Sequence, residues 1–362
     1  MLFISASFPN EKDGIGDSAS FLYRAYLKKN QNCTLVTTSS LKIQNYNTQN
    51  KLNNTIYVKN WNVSIKNILF FKKLFKNVKT IHLEYPGVLY GKSLFPIILL
   101  FLAKQGRVKT ILRLHEYSQA SQMRRIVIKL MIKNSDYIFV PSNIDYHILK
   151  NMYGEKIRKT HIGSNIPVIS KENKKDKDCI VISYFGFIYP SKGFEKLLDI
   201  WKQILSKTNK KVKFLIIGEL SDSSNNQYQE YHKKILKKID ELGIKNMIDI
   251  TGFVSASQVS QYILASHFTI LPFSDGLTLR RGSFISYLEH NVPIITSNGD
   301  SECQYYFKNH IGVEMIDLNL MADKAVEWIE NGIPQVNNQQ YSPLFNWDNI
   351  VDEFISVIQE RK

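Results

Sequence analysis

Residues 182–198 read ISYFGFIYPSKGFEKLL, and the reading of this stretch decides the fold. The apolar run at its start has the β-branched and aromatic content of a buried strand. Gly186 ends that run, and a loop with Pro190 follows. From Lys192 onward the apolar residues recur at helical spacing. Ser191 stands where a helix cap belongs, which predicts a helix over 192–206. Strand, glycine turn and helix in that order open a βαβ unit.

The same alternation runs outward on both sides. Upstream, strands are predicted at 2–8, 33–38, 54–58, 79–84, 109–114, 136–140 and 158–162, with helices near 17–30, 64–76, 91–105, 119–134 and 142–152. Downstream, strands at 180–185, 211–217, 247–251, 268–272 and 292–296 alternate with helices near 228–242, 257–266, 283–290 and 319–331. A last helix covers about 347–360. Between the two series, ISKENKKDKDC (169–179) is polar, aperiodic and reads as a linker. Two α/β domains with parallel sheets are therefore expected, 1–168 and 169–346, with the helix of 347–362 free to pack back on the first. Ligands of such sheets gather at the carboxyl ends of the strands.

The charge is uneven. Residues 1–165 hold 25 Lys and Arg against eight Asp and Glu, whereas 166–362 hold 22 against 24. A half that basic expects an anionic partner: nucleic acid, an anionic membrane surface or a phosphorylated substrate. No nucleic-acid-binding motif is present, so nucleic acid is not expected. Cys33, Cys179 and Cys303 are far apart and in no metal-ligand spacing, which suits a reducing compartment. MLFISASF at the start reads as a strand rather than a signal peptide. LFPIILLFLA (94–103) is too short to span a bilayer, is interrupted by Pro96 and reads as a buried helix. FFKKLFKNVK (70–79) and MRRIVIKLMIK (123–133) mix apolar and basic residues. Each fits either a helix lying on anionic lipid or a core helix with a solvated basic face.

GIGDSA (14–19) matches a dinucleotide fingerprint, but its first glycine lies about six residues beyond the strand. The acid expected about 20 residues later is missing, since no Asp or Glu occurs between Asp17 and Glu84. A nicotinamide or flavin cofactor is therefore not expected. What remains is a glycine loop, Gly14 and Gly16, that lets backbone amides approach an anion or a sugar. Lys192 stands at a predicted helix amino terminus, against the dipole unless an anion bridges the two. SDGLTLRRGS (274–283) follows the buried strand FTILPF and has the same design. Arg280 and Arg281 repel each other unless something negative sits between them, and their planar forks fit phosphate oxygens. Asp275 is an acceptor-only carboxylate suited to sugar hydroxyls, Gly276 admits the backbone to a ligand, and Ser283 is a predicted cap. The plainer alternative is a surface turn whose arginines pair with nearby acids. His115 and His82 each end a strand, either facing a ligand or bonded to backbone.

FGFIYPSKGFEKLL, LIIGEL, ITGFV, LPFSDGLTLRRGSFISYLEHNVPIITS and FNWDNIVDEF occur in the order found in the glycosyltransferases of family 4. GIGDSASFLYRAYL, LRLHEYS and HIGSNIP are similar to that family as well, so the resemblance covers nearly the whole chain. It implies a GT-B fold, two Rossmann-like domains facing a central cleft. It implies retaining transfer of a sugar from a nucleotide-diphosphate sugar to a glycan or lipid-linked acceptor, without metal or cofactor. The setting it implies is bacterial surface-polysaccharide synthesis, in the cytoplasm or at the inner face of the cell membrane.

Carried over by position, the resemblance gives Lys192, after the Gly186 turn, the donor diphosphate. Phe253 and Val254 would present backbone groups to the base, with Gly218 and Glu219 beneath it. Asp275 would replace the first glutamate of the family's Glu–seven residues–Glu motif and hold donor-sugar hydroxyls, helped by the amides of Gly276, Leu277 and Thr278. Gly16 would lie against the diphosphate from the first domain. His115 would face the reacting centre with Glu116 beside it, and Gly14 and His82 would join on the acceptor side.

Three departures stand out. Phe187 occupies a place where many members have arginine, and the turn is about three residues longer than usual. The second glutamate is missing, with Ser283 there by direct count and Ser286 if counted back from Pro293. Arg280 or Arg281 is then expected to supply the cation lost at Phe187. Asp176-Lys177-Asp178 has a form that binds metal in other glycosyltransferase folds, but in this Lys-rich linker it reads as solvated. A nucleotide-sugar epimerase and a non-catalytic nucleotide-sugar-binding protein share the scaffold, the latter permitted by the missing glutamate.

Overall fold

The computed structural model describes residues 1–8, 14–38, 54–169, 175–188, 192–219 and 226–360, with the backbone alone for 226–228. They form two compact units, Met1–Asn165 with Leu344–Lys362, and Ile166–Pro343. Among them, no helix is long and apolar enough to cross a membrane.

The first unit is built on seven parallel strands: β1 (Leu2–Ile4), β2 (Thr34–Thr38), β3 (Thr55–Val58), β4 (Thr80–Tyr85), β5 (Lys109–Leu114), β6 (Tyr137–Val140) and β7 (Ile157–Lys159), in the order β3-β2-β1-β4-β5-β6-β7. Its helices are α1 (Gly14–Lys28), α2 (Ile65–Phe75), α3 (Gly87–Tyr90), α4 (Phe95–Gln105), α5 (Gln122–Lys133) and α6 (Asn143–Tyr153). Side chains alternate across a strand, and the two faces feed two cores. Leu2, Ile4, Ile81, Leu83, Leu112 and Leu114 meet α2, α4 and α5. Phe3, Ile111 and Phe139 meet α1 and the helix that ends the chain.

The second unit has six parallel strands: β8 (Ile180–Phe185), β9 (Val212–Ile217), β10 (Ile248–Ile250), β11 (Phe268–Leu271), β12 (Ile294–Ser297) and β13 (Val313–Ile316), in the order β10-β9-β8-β11-β12-β13. Its helices are α7 (Phe194–Lys207), α8 (Asn226–Glu241), α9 (Ala256–Ala265), α10 (Gly282–Glu289), α11 (Ser301–Phe307) and α12 (Met321–Asn331). α7 buries Phe194, Leu197, Leu198, Trp201 and Ile204, one stripe of a 3.6-residue repeat. Trp201 stacks on Phe214 of β9 with centroids 4.4 Å apart. The short α13 (Ser342–Phe345) precedes α14 (Trp347–Gln359), which packs on α1 in the first unit.

Several expectations move. α1 begins at Gly14 rather than 17, so the first and third residues of GIGDSA lie in a helical turn and not in a loop. Pro96 does not interrupt α4 but opens it, where its missing N–H has no helical partner to lose. α11 and β13 lie beyond the predicted elements. In the linker, 170–174 fall outside the described residues, and Asp176 Oδ1 accepts the amides of Asp178 (2.8 Å) and Cys179 (3.2 Å), closing a turn.

α14 completes the first unit's second core. The Phe354 ring lies 4.3 Å from Phe139 and 4.8 Å from His82. Truncating Phe354 to Ala removes those ring contacts from a fully buried site and is expected to cost about 3–5 kcal/mol. Urea unfolding followed on the first unit's transition measures it; a loss below about 1 kcal/mol would mean that α14 is dispensable.

Candidate functional site

In the second unit the strand order reverses direction between β8 and β11, the switch point at which such sheets bind ligands. The residues picked out from the sequence lie on the loops leaving these strands. Gly186 (φ 137°) and Gly218 (φ 144°) adopt backbone angles that favour glycine. A Cβ on Gly218 would stand 2.8 Å from the Gly186 carbonyl oxygen. The Gly218 amide donates to Thr251 Oγ1 (3.1 Å), and Gly218 bridges to Gly252. The ends of β8, β9 and β10 thus stand side by side, with Glu219, the exposed Phe253 and half-buried Val254 continuing from them.

Gly193 joins the two sides of the switch point. It sits at φ 72°, and a Cβ there would lie 1.9 Å from the Pro272 carbonyl oxygen. Gly193, not Ser191, is the N-cap of α7, and Ser191 falls outside the described residues. The contact sets half-buried Lys192 among charges from the β11 loop. Burial and the Arg281 guanidinium push the Lys192 ammonium down to about 8, against the pull of Asp275. Arg281 pairs with Asp275 Oδ1 and lies 4.7 Å over the Phe273 ring, with its side chain only 16% exposed. Two cations thus share one carboxylate in a half-buried corner, an arrangement that an added anion relieves.

The rest of the loop is more engaged than the sequence suggests. Arg281 itself is the N-cap of α10, so Ser283 lies inside the first turn and does not cap it. Ser286 is buried and donates to the Gly282 carbonyl at 2.8 Å. The Gly276 amide bonds the Phe273 carbonyl (3.2 Å), and the Leu277 amide bonds that of Asn298 (3.0 Å). Those two amides hold the loop together instead of facing a ligand. Thr278 and Arg280 are half-buried beside them. The Phe187 carbonyl accepts from Tyr184 Oη at 3.3 Å. His232 of α8, which sequence reading passed over, donates to the Ile188 carbonyl at 3.1 Å and anchors the loop after β8.

The first unit holds a second constellation, centred on a residue that the sequence did not single out. Glu84 of β4 is fully buried. His82 lies two residues earlier on the same face, and Arg113 of β5 stands opposite in register. Glu84 Oε1 lies 3.0 Å from His82 Nε2 and 3.5 Å from Arg113 Nη1, and Oε2 lies 2.7 Å from His115 Nε2. Burial raises the Glu84 carboxyl, but the Arg113 guanidinium and the bonds from His115 and His82 outweigh it and hold it well below the usual carboxylate range. An ionised carboxylate only accepts, so both histidines donate from Nε2. Burial pushes His82 down despite Glu84, which keeps its ring neutral at pH 7. His82 Nδ1 is then an acceptor, and the Tyr26 hydroxyl donates a hydrogen bond to it at 2.9 Å. The network therefore fixes the His115 proton on Nε2. Arg113 is closed over by α14, its guanidinium 5.5 Å from the Trp347 ring.

The other first-unit candidates separate. Glu116 pairs with Arg124 Nη1 at 3.5 Å. Gly14 opens α1 in open space, whereas a Cβ on Gly16 would stand 2.7 Å from Ser7 Oγ. The third residue of GIGDSA is thus glycine because α1 lies close on the segment after β1. The adjoining 9–13 fall outside the described residues.

The two Rossmann-like sheets define a GT-B fold. Residues 165–337, nearly all of the second unit, match the family model of glycosyl transferases group 1. In structure the chain is similar to HepE of Anabaena, solved in complex with UDP (12% identity, 99% of this chain and 98% of that one, TM-score 0.72). It is similar to sucrose-phosphate synthase of Thermosynechococcus elongatus (16% identity, 98% and 97%, TM-score 0.71). A glycosyltransferase of Rickettsia africae shares the fold as well (15% identity, 99% and 97%, TM-score 0.73). No curated protein sequence matches the chain.

Replacing Glu84 by Gln leaves one amide to face two histidine donors and an unbalanced Arg113. Loss of one partner of a buried ion pair is expected to cost about 3–5 kcal/mol at pH 7. Because the folded-state carboxyl is depressed, the wild-type advantage is complete above the unfolded value of about 4.3 and is lost as pH falls through the folded value. Urea unfolding across that range tests it; equal stabilities at pH 7 would contradict the network.

Proposed function

We propose that this chain is a retaining glycosyltransferase that moves a sugar from a nucleoside-diphosphate sugar to a glycan or lipid-linked acceptor. The observation that carries this reading is the pair of half-buried cations Lys192 and Arg281 beside the more exposed Asp275 at the second unit's switch point. A diphosphate placed there gives both cations a partner and releases part of Arg281 from Asp275. Asp275 then accepts from hydroxyls of the donor sugar. As the glycosidic bond breaks, negative charge gathers on the leaving diphosphate, where Lys192 and Arg281 are already oriented to meet it. In this reading the protein's own cations do what a metal ion does in other transferases. The glycine-lined ends of β8, β9 and β10 take the nucleoside, with Glu219, Phe253 and Val254 around it. His115, its proton held on Nε2 by Glu84, serves the transferred sugar or the acceptor hydroxyl. The match to group 1 glycosyl transferases over 165–337 and the UDP bound by HepE support a nucleotide donor. The basic first unit suits an anionic, lipid-linked acceptor of bacterial surface-polysaccharide synthesis at the cytoplasmic face of the membrane.

The test is thermal stability against UDP-, GDP-, CDP- and dTDP-sugars, with NAD(H) as a control. A ligand at about a hundred times its dissociation constant adds roughly 2.7 kcal/mol. One nucleotide sugar is expected to stabilise the protein selectively, and Arg281→Ala to weaken its binding by about 10- to 100-fold. Lys237→Ala, at an exposed position on α8, is expected to leave binding unchanged. Stabilisation by NAD(H) alone, or by none of the panel, would contradict the reading.

A further inference from the structure

α2, α4 and α5 pack side by side on one face of the first unit's sheet. Each turns an apolar side inward, Phe71 and Phe75 from α2, Leu99 from α4, Ile128 and Ile132 from α5. A helix so placed should be polar on its outer side. These three carry large apolar residues there as well as lysine and arginine. α5 exposes Met123 (74%), Ile126 (53%) and Leu130, a second stripe at i, i+3 and i+7 that points away from the core. α2 exposes Ile65 (77%) and Leu69, and α4 exposes Phe101. The chemistry around these residues is one-sided. Residues 59–133 contain 15 Lys and Arg and two acids. Neither acid offsets the surface: Glu84 is buried in the histidine network, and Glu116 is paired with Arg124. α2, α4 and α5 themselves contain no acid.

We infer that the outer face of α2, α4 and α5 docks on an anionic lipid surface. The aliphatic stripes enter the boundary between headgroups and acyl chains, and the surrounding lysines and arginines meet headgroup phosphates. Three adjacent helices, each exposing apolar residues beside lysine or arginine, offer a broader face than a single amphipathic helix. The occupant follows from charge and apolarity together. A second copy would set two basic faces against each other with no acid to pair them. Nucleic acid or an acidic protein would meet the charge and leave Met123, Ile126 and Leu130 without an apolar partner. This names the surface behind the membrane setting of the proposed function. It rests on the first unit alone, so its failure leaves the donor site of the second unit untouched, and the reverse holds as well.

The experiment is co-sedimentation of the full chain with vesicles of phosphatidylcholine alone or of phosphatidylcholine mixed with phosphatidylglycerol. Binding is expected only to the anionic vesicles, weakening as salt rises. Ile126→Asp and Leu69→Asp are each expected to lower the affinity by about tenfold or more. Leu320→Asp, at an exposed position in the second unit, is expected to leave it unchanged. Urea unfolding checks that the variants remain folded, without reference to any nucleotide. Absence of binding to anionic vesicles, or binding indifferent to Ile126→Asp, would overturn the inference. So would a dimer, seen by sedimentation velocity, that Ile126→Asp dissociates and that does not bind vesicles.

Discussion

The charged corner proposed to bind the donor depends on one place where a side chain cannot fit. At Gly193 the loop leaving β8 lies on the carbonyl of Pro272, at the end of β11, with a gap that a Cβ would close to 1.9 Å. That contact spans the switch point of the sheet and brings Lys192 into the field of Arg281 and Asp275. A methyl group at this position clashes with the Pro272 carbonyl, so the two loops cannot keep this contact. Burial and the Arg281 charge hold the Lys192 ammonium down to about 8, where it gains from an anion.

The first unit follows a related rule with opposite sign. There a carboxylate is buried, and its three polar neighbours, His82, Arg113 and His115, are arranged so that it can stay ionised. β4 supplies Glu84 and His82 two residues apart, β5 sets Arg113 opposite, and α14 closes over the group with Trp347 and Phe354. The result is a directional chain from Tyr26 through His82 to Glu84, with His115 donating from the other side. A histidine so held offers one defined tautomer at the end of a strand.

Much of the architecture was legible because parallel strands buried on both faces and amphipathic helices write strong periodic patterns. α7 is visible in its apolar stripe, and every predicted strand is present with its ends shifted by a few residues. α11 and β13 were not legible. α11 has seven residues and depends on Asp300 accepting the Cys303 amide, and β13 is only partly buried. Glycine and arginine, not Ser191 and Ser283, stand at the N-caps of α7 and α10, and at Gly193 the contact with Pro272 rather than cap chemistry fixes the end. Lys192, Arg281 and Asp275 were legible as charges that needed an explanation. Glu84 was hidden because its importance lies in register: nothing in the sequence says that Arg113 stands opposite it. The outward stripe on α5 was equally hidden, since only the fold shows that Ile128 and Ile132 face the core while Met123, Ile126 and Leu130 do not.

The most direct test of the central claim is calorimetric titration of the protein with a nucleoside diphosphate at pH 8, in buffers of differing ionisation enthalpy. Burial and the Arg281 guanidinium bring the Lys192 ammonium down to about 8, so that it is only partly protonated near that pH. A diphosphate bound beside it favours the charged ammonium, so binding takes up a fraction of a proton, and affinity falls as pH rises further. That uptake is expected, and it is expected to disappear in Lys192→Met. Binding with no proton exchange, or uptake that survives in Lys192→Met, would contradict it.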